Sequence, residues 1–384
     1  MKVAVYFSPL AGVFKPTGVG RHVVGMVGQL GLMNQLEVML MAERKAYGDA
    51  KTKLPKELSD VPVSFLPGPE NLLRKLLTYT SLVSLDRWLP PVDWVYCPKE
   101  QPVTLRKMRL AVTVHDVLPL EKEIPGYCRA TGCGYRLRWR WTLQRIAKRA
   151  DLIATVSEFT KHRLVTLFPE INPDKVVVVG NGVGQVFFRE PRMGDEEVLL
   201  KYGVTPASYV IVSGGLQVRK GADIVLQLAE NWKRQGTNLG ILMTGRRHDK
   251  VYLPVARKLL QEAGNYPLRL LGYIPDEDLA ILLSHAICLI FPSLYEGFGI
   301  PAVEAMAAGT PVVFNPVAAL PEVVGEAGIP VRANTPDEFE RIILQLASEP
   351  KLREKYIALG RERATQFTWQ TCAARLVSAF KRLS

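Results

Sequence analysis

Apolar runs at positions 3–7, 37–41, 61–65, 94–97, 110–114, 152–156 and 176–179 alternate with stretches whose apolar residues recur at helical spacing. They predict strands and helices in strict turn. The same alternation resumes at 209–213, 240–244, 268–271, 288–291 and 312–314, with a short run at 329–331, and predicts a second sheet. Runs that are largely apolar rather than strictly alternating suit strands covered on both faces, as in parallel sheets flanked by helices. Between the two series lies "GNGVGQVFFREPRMGDEE", rich in glycine and charge and without apolar periodicity, which predicts a linker near 181–195. The expected fold is α/β, with two Rossmann-like domains whose parallel sheets face a central cleft.

A chain of 384 residues is long enough for two such domains, each with its own core. Almost half of the residues are hydrophobic and under a quarter charged, a globular composition without low-complexity segments or repeats of 20 to 50 residues. The start "MKVAVYFSPL" carries one lysine and a short β-type run, unlike a signal peptide, and no later run reaches membrane-spanning length. A cytoplasmic location is expected. The five cysteines are scattered, with only Cys128 and Cys133 close together, and read as free thiols. The net charge of +12 does change the picture, because it calls for an anionic partner: nucleic acid, an acidic substrate or an anionic membrane face.

The stretch "PSLYEGFGIPAVEAMAAGTPVV" holds the chemistry of most interest. Gly297 and Gly299 disfavour helix, whereas Pro301 suits a first helical position, so a helix is expected to start near Pro301 and to stop before Gly309 and Pro311. Glu296 then falls in a loop at a strand's carboxyl end and Glu304 in the helix's first turn. Ligands of open α/β sheets gather at such ends, and free amides at a helix start attract anions. Two carboxylates there repel phosphate but accept hydrogen bonds from hydroxyls, which sugars supply. A plainer account also stands at this point, in which Glu304 complements the helix dipole and Glu296 is solvated.

Two further glycine loops suit phosphate. "FKPTGVGRHVVGMVGQL" sets Gly18 and Gly20 ahead of an apolar-periodic helix, yet it lacks the third glycine of a dinucleotide fingerprint and the Lys-Ser/Thr of a P-loop. "VSGGLQVRKGADIVLQLAEN" follows a strand with a glycine turn and places Arg219 and Lys220 just before a helix, where two cations suit a diphosphate or simply form a solvated face.

With these residues in view, the chain resembles the retaining glycosyltransferases of family 4, which have the two-Rossmann-domain GT-B fold. The Glu-x7-Glu stretch from Glu296 to Glu304 is the most specific match, followed by "NPVAALPEVVGEAG". Also similar are the loop at Gly18 and Gly20, "TVHDVLPL", "ADLIATVSEFTKHRL", "VVVVGNGV", "RKG" and "LLGYIPDEDL", so the likeness covers nearly the whole chain. It implies an acceptor-binding domain at 1–185 and a nucleotide-sugar-binding domain at 186–365. The ending 366–384 would be a terminal helix that packs back on the first domain. The resemblance further implies that Arg219 and Lys220 bind the donor diphosphate, that Glu304 holds the ribose hydroxyls and that Glu296 holds the donor sugar. Backbone amides of Gly297, Phe298, Gly299 and Ile300 would meet sugar and phosphate. Gly18 or Gly20 would let the first-domain loop approach the diphosphate, Tyr273 and Ile274 would lie beside the nucleobase, and His115 would stand near the reacting face of the sugar or be a histidine satisfied in the core.

The implied reaction moves a hexose from a nucleotide-diphosphate sugar, UDP-glucose first and GDP-mannose second, to a glycan or lipid-linked acceptor, with retention of configuration. Charge that builds on the leaving diphosphate would be met by Arg219, Lys220 and helix-start amides. Neither a cofactor nor an essential metal is expected. The triplet Asp276-Glu277-Asp278 matches an Asp-x-Asp metal motif as a string, but it follows Pro275 and opens a helix, where acids are favoured by the dipole.

Residues 129–149 carry Arg129, Arg136, Arg138, Arg140, Arg145, Lys148 and Arg149 among Tyr135, Trp139 and Trp141. Such a segment suits docking on the inner face of an anionic membrane. Leu137, Trp141, Ile146 and Ala150 equally suit a core stripe with arginines on the wet side. No known nucleic-acid-binding motif accompanies the charge, so nucleic acid is not expected as a partner. Readings from other classes are a catalytically silent sugar- or lipid-binding protein and a GT-B epimerase or phosphorylase. A phosphorylase would need a pyridoxal-phosphate lysine and a longer chain, and an epimerase would lack the Glu-x7-Glu loop.

Overall fold

The computed structural model describes residues 1–6, 17–43, 55–67, 70–121, 124, 133–246, 248–262 and 266–384. The chain divides into two compact units, one made of Met1–Leu120, Cys133–Gly182 and Thr368–Ser384, the other containing Val183–Phe367.

The first unit runs β1 (Lys2–Tyr6), α1 (Gly18–Gly31), β2 (Glu37–Glu43), β3 (Val63–Leu66), α2 (Glu70–Tyr79), β4 (Trp94–Cys97), β5 (Arg109–Val114), α3 (Cys133–Arg149), β6 (Leu152–Thr155), α4 (Glu158–Leu167) and β7 (Val176–Val178). The second runs α5 (Asp195–Lys201), β8 (Tyr209–Ser213), α6 (Ala222–Gln235), β9 (Gly240–Thr244), α7 (Leu253–Gln261), β10 (Leu268–Gly272), α8 (Asp276–His285), β11 (Leu289–Phe291), α9 (Ile300–Ala307), β12 (Val312–Phe314), α10 (Leu320–Val324), β13 (Ile329–Pro330), α11 (Pro336–Ser348) and α12 (Pro350–Ala364). Helix α13 (Trp369–Leu383) returns to the first unit.

The first sheet has seven strands in the order β3-β2-β1-β4-β5-β6-β7, and the second six in the order β10-β9-β8-β11-β12-β13. Every pairing is parallel. Each apolar run read from the sequence forms a strand, most within two residues of the expected ends. In each sheet the chain builds outward on one side and then returns beside its first strand. Strand order therefore reverses between β1 and β4 and between β8 and β11, the places where open α/β sheets bind ligands.

The continuous apolar character of the strands is explained by cover on both faces. In the first unit one face buries Val3, Val5 and Trp94 against Val23, Val27, Leu376 and Phe380, so α1 and α13 share that core. The opposite face buries Val112 and Ile153 with Leu143, Ile146 and Leu164 from α3 and α4. In the second unit Val210, Ile241 and Ile290 are packed with Val225, Leu228, Trp232, Ile342 and Ile343 from α6 and α11. Capping hydroxyls fix several helix starts: Thr17, Ser157, Thr335 and Thr368 each accept from a backbone N–H of the first turn.

Candidate functional site

The second unit gathers its charged side chains at the β8/β11 reversal. After β8, Gly214 and Gly215 turn the chain at positive φ, a short turn holds Val218–Lys220, and Gly221 opens α6. After β11 the loop runs from Pro292 to Gly299 before α9. The two loops are tied together: Leu294 N–H donates to the Arg219 carbonyl at 2.8 Å. Gly221 is required by both conformation and space. Its φ is +68°, and a Cβ there would stand 2.2 Å from the Pro292 carbonyl oxygen. Gly214 likewise leaves room for the Lys220 stem, whose carbons would lie 2.9 to 3.1 Å from an added Cβ.

Threaded through that gap, Lys220 brings Nζ to 2.6 Å from Glu296 Oε1 and to 5.1 Å from the centroid of the Phe291 ring. Arg219 stands 3.6 Å from Glu296 Oε2. Burial alone would favour a neutral Glu296, but the Lys220 ammonium and then the Arg219 guanidinium outweigh it and hold the carboxyl below its usual range. Glu296 is thus a buried anion between two cations, and its solvated reading is corrected.

Gly299, at φ +109°, is the N-cap of α9, and Ile300 is the first helical residue. Phe298 is buried and meets Phe367 edge-on at 5.7 Å. Glu304 is corrected in one respect. Because α9 begins at Ile300, Glu304 lies beyond the first turn, where it is 3% exposed, so it is not a first-turn dipole partner at the surface. Tyr273 and Ile274 follow β10, at the same edge of the parallel sheet two strands from β8; Tyr273 is exposed and Ile274 half-buried.

Asp278 of the acidic triplet accepts from Lys201 Nζ at 2.6 Å and from the Tyr202 hydroxyl at 2.7 Å, on the first turn of α8. Among the described residues no three His, Cys, Asp or Glu side chains gather as a metal site would require.

In the first unit Gly18 and Gly20 do not precede α1. With Thr17 as its cap, α1 starts at Gly18, and both glycines form its first turn. His115 follows β5 and is 8% exposed. Its backbone N–H donates to Glu100 Oε1 at 2.7 Å, and its Nε2 lies 3.0 Å from the Pro98 carbonyl.

Sequence reasoning missed His22, which follows Arg21 in α1 and faces His115 at a ring separation of 4.7 Å and an interplanar angle of 90°. Its signal was a histidine at a position where the helix's apolar stripe calls for a core residue. Burial, with a smaller contribution from His115, takes its pKa to about 3 against the pull of Asn181, so it is neutral.

The basic segment is divided between engaged and exposed side chains. Arg129 and Cys128 lie outside the described residues. Within α3, Leu143, Ile146 and Ala150 at its end are buried, whereas Leu137, expected in that stripe, is 69% exposed. Arg145 and Arg149 hold carbonyls of Thr80 and Pro102, and Arg136 holds that of Leu120. Arg138, Arg140 and Lys148 remain exposed. Among the described residues no helix is long and apolar enough to cross a membrane.

Comparison with known proteins identifies the family and the fold. The family described as "Glycosyltransferase Family 4" matches residues 16–184, and "Glycosyl transferases group 1" matches residues 203–363. The chain is 28% identical to O-antigen chain mannosyltransferase B of Escherichia coli over 100% of both proteins. It is 30% identical to the MMP alpha-(1->4)-mannosyltransferase of Mycolicibacterium hassiacum over 71% of this chain and 65% of that protein. Among solved structures, Anabaena HepE in complex with UDP and glucose superposes with a TM-score of 0.73 at 16% identity over 100% of both chains. The fold is GT-B, two parallel-sheet α/β domains. The chain belongs to glycosyltransferase family 4 and is a glycosyltransferase.

Proposed function

We propose that this protein transfers a hexose from a nucleotide-diphosphate sugar to a glycan or lipid-linked acceptor in polysaccharide synthesis, with retention of anomeric configuration. The observation that carries the reading is the meeting of Arg219, Lys220 and Glu296 at the β8/β11 reversal, a half-buried and a buried cation around a buried anion where this fold class binds ligands. Mannose is the sugar we rank first, because both named relatives are mannosyltransferases, one of them over its full length. GDP-mannose therefore moves ahead of UDP-glucose as the donor to test.

In this reading Arg219 and Lys220 hold the diphosphate and stabilise the charge it gains on leaving. Glu296 accepts from sugar hydroxyls while keeping Lys220 charged and in place. Glu304 accepts from the ribose hydroxyls, Tyr273 and Ile274 flank the base, and the amides of Gly297, Phe298, Gly299 and Ile300 meet sugar and phosphate. His115 presents its imidazole to the sugar, and Gly18 and Gly20 keep the start of α1 open to phosphate. No metal is needed for the charge balance, since two cations already face the leaving group, and Asp278 is engaged by Lys201 and Tyr202.

The test is thermal unfolding with GDP-mannose, UDP-glucose and ADP-glucose, coupled to nucleotide release, since a ligand bound only by the folded state raises the midpoint. A selective rise with GDP-mannose is expected. No rise and no nucleotide release with any of the three would replace this reading with that of a silent sugar- or lipid-binding protein.

A further inference from the structure

His22 is a buried titratable group that the proposed mechanism leaves unused. It is 0% exposed, and such a group is costly to bury unless its hydrogen bonds are made. They are made in one direction. Asn181 Oδ1, 2.7 Å from His22 Nδ1, accepts only, so Nδ1 carries the proton. The other ring nitrogen, Nε2, is then an acceptor, and the Tyr96 hydroxyl at 3.3 Å donates to it. Thr113 Oγ1, 2.8 Å from the Tyr96 oxygen, completes the chain as donor. Thr113 lies in β5, two residues before His115. The path thus leaves β5, passes through β4 and α1, and ends on the segment after β7.

Those bonds occupy both ring nitrogens of His22, and its ring stands 4.7 Å from that of His115, perpendicular to it. On its far side His22 meets Trp369 at 5.9 Å. His115 has its own constraint, because the Pro98 carbonyl can only accept and so its Nε2 must donate. A neutral His115 with the proton on Nε2 has Nδ1 as its acceptor, and among the described residues no hydrogen bond is made to that atom.

We propose that His22 is a positioning residue: held in place by Asn181 and Tyr96, it fixes the His115 ring so that Nδ1 accepts a hydrogen bond from the bound substrate. The inference rests on the reading of His115 as a sugar-facing group, and it concerns how that group is held. A fixed neighbouring ring excludes the alternative rotamer of His115, which would take Nε2 from the Pro98 carbonyl and turn that donor toward the sugar. Misplacing a catalytic group by about 1 Å costs on the order of 100-fold in rate.

The test compares wild type with His22→Ala and Tyr96→Phe, using 15N-labelled histidine and long-range 15N–1H spectra in which His115→Asn identifies the His115 signals. Wild type is expected to show His115 as a single Nε2–H tautomer. His22→Ala should broaden or split those signals, and Tyr96→Phe should shift them by freeing His22. Turnover of GDP-mannose or UDP-glucose should fall about 10- to 100-fold in His22→Ala with donor KM changed less than threefold. Adding His22→Ala to His115→Asn should cost no more than His115→Asn alone. Tyr96→Phe carries the test where His22→Ala does not fold. Unchanged His115 signals in the folded variant, or additive losses in the double variant, would overturn the proposal. Full activity of His115→Asn would instead overturn the sugar-facing role of His115, while the spectra would still report whether His22 holds it.

Discussion

Lys220 Nζ and Glu296 Oε1 stand 2.6 Å apart with each side chain only 8% exposed, so an ion pair is buried at the β8/β11 reversal of the second sheet. Removing one partner of such a pair leaves the other charge uncompensated, at about 3 to 5 kcal/mol. Glu296→Ala is expected to lower stability on that scale in urea titrations without ligand, and to lose more turnover than donor affinity. The pH dependence follows from the sign of the shift. Glu296's folded pKa is lowered, so its contribution is present above its ordinary value of 4.5 and lost as pH falls through the folded value. The stability gap between wild type and Glu296→Gln should be full at pH 7 and close at acid pH, and a gap that grew on acidification would contradict this assignment.

Glu304 is 3% exposed on α9, one turn past the helix start. A carboxylate that accepts from ribose hydroxyls contributes about 1.5 to 3 kcal/mol as a charged hydrogen-bond partner. Glu304→Ala should therefore weaken binding of the free nucleoside diphosphate roughly 10- to 100-fold by calorimetry. Equal affinity in the variant would remove the ribose role.

Gly221→Ala tests whether the placement of Arg219 and Lys220 depends on the close approach of two loops. Left-handed backbone costs a non-glycine residue about 1 to 2 kcal/mol, and the new Cβ would meet the Pro292 oxygen at 2.2 Å. A loss of about 2 to 4 kcal/mol is expected in chemical denaturation, with donor binding lost even where the protein folds. Wild-type donor affinity would show that Arg219 and Lys220 do not need this seam.

Much of the fold was legible because period and length separate buried strands from amphipathic helices: the run at 288–291 could only be a short core strand, and Pro301 marked the α9 start to within one residue. The Glu-x7-Glu spacing and the Arg-Lys pair pointed, from local sequence, to residues of which the structure brings Arg219, Lys220 and Glu296 together. What was hidden depends on contacts distant in sequence. Nothing local says that Lys220 passes Gly214 to reach Glu296, or that His22 meets Asn181, since these partners are brought together by strand order. Leu137 failed for a related reason: α3 turns Leu143, Ile146 and Ala150 inward, and helical spacing alone did not select which of the overlapping stripes faces the sheet.

Activity in the presence of a chelator separates the two uses of the acidic triplet. Asp278's carboxyl is lowered because Lys201 and Tyr202 donate to it, outweighing burial. Nucleotide release from the donor is expected to continue unchanged in EDTA. Full dependence on Mn2+ would assign the triplet to a metal instead.

The arginines of α3 make two separable predictions. Arg149 donates to Thr80, Ser81 and Pro102, so Arg149→Ala should unpin the segment after α2 and cost about 1 to 3 kcal/mol of stability, with little effect on surface charge patterning. Arg138, Arg140 and Lys148 are exposed on the same helix, near the 69% exposed Leu137. Basic residues near an anionic leaflet contribute about 1 kcal/mol each, and the attraction falls within a Debye length. If α3 docks on lipid, Arg138→Ala with Arg140→Ala should weaken binding to vesicles of phosphatidylglycerol by about 2 kcal/mol, roughly 30-fold, while leaving the unfolding midpoint unchanged. Added salt should narrow that difference. Vesicle binding equal to wild type in the double variant would leave α3 as a core helix with a solvated basic face, and would direct the search for the anionic partner implied by the net charge of +12 to the donor alone.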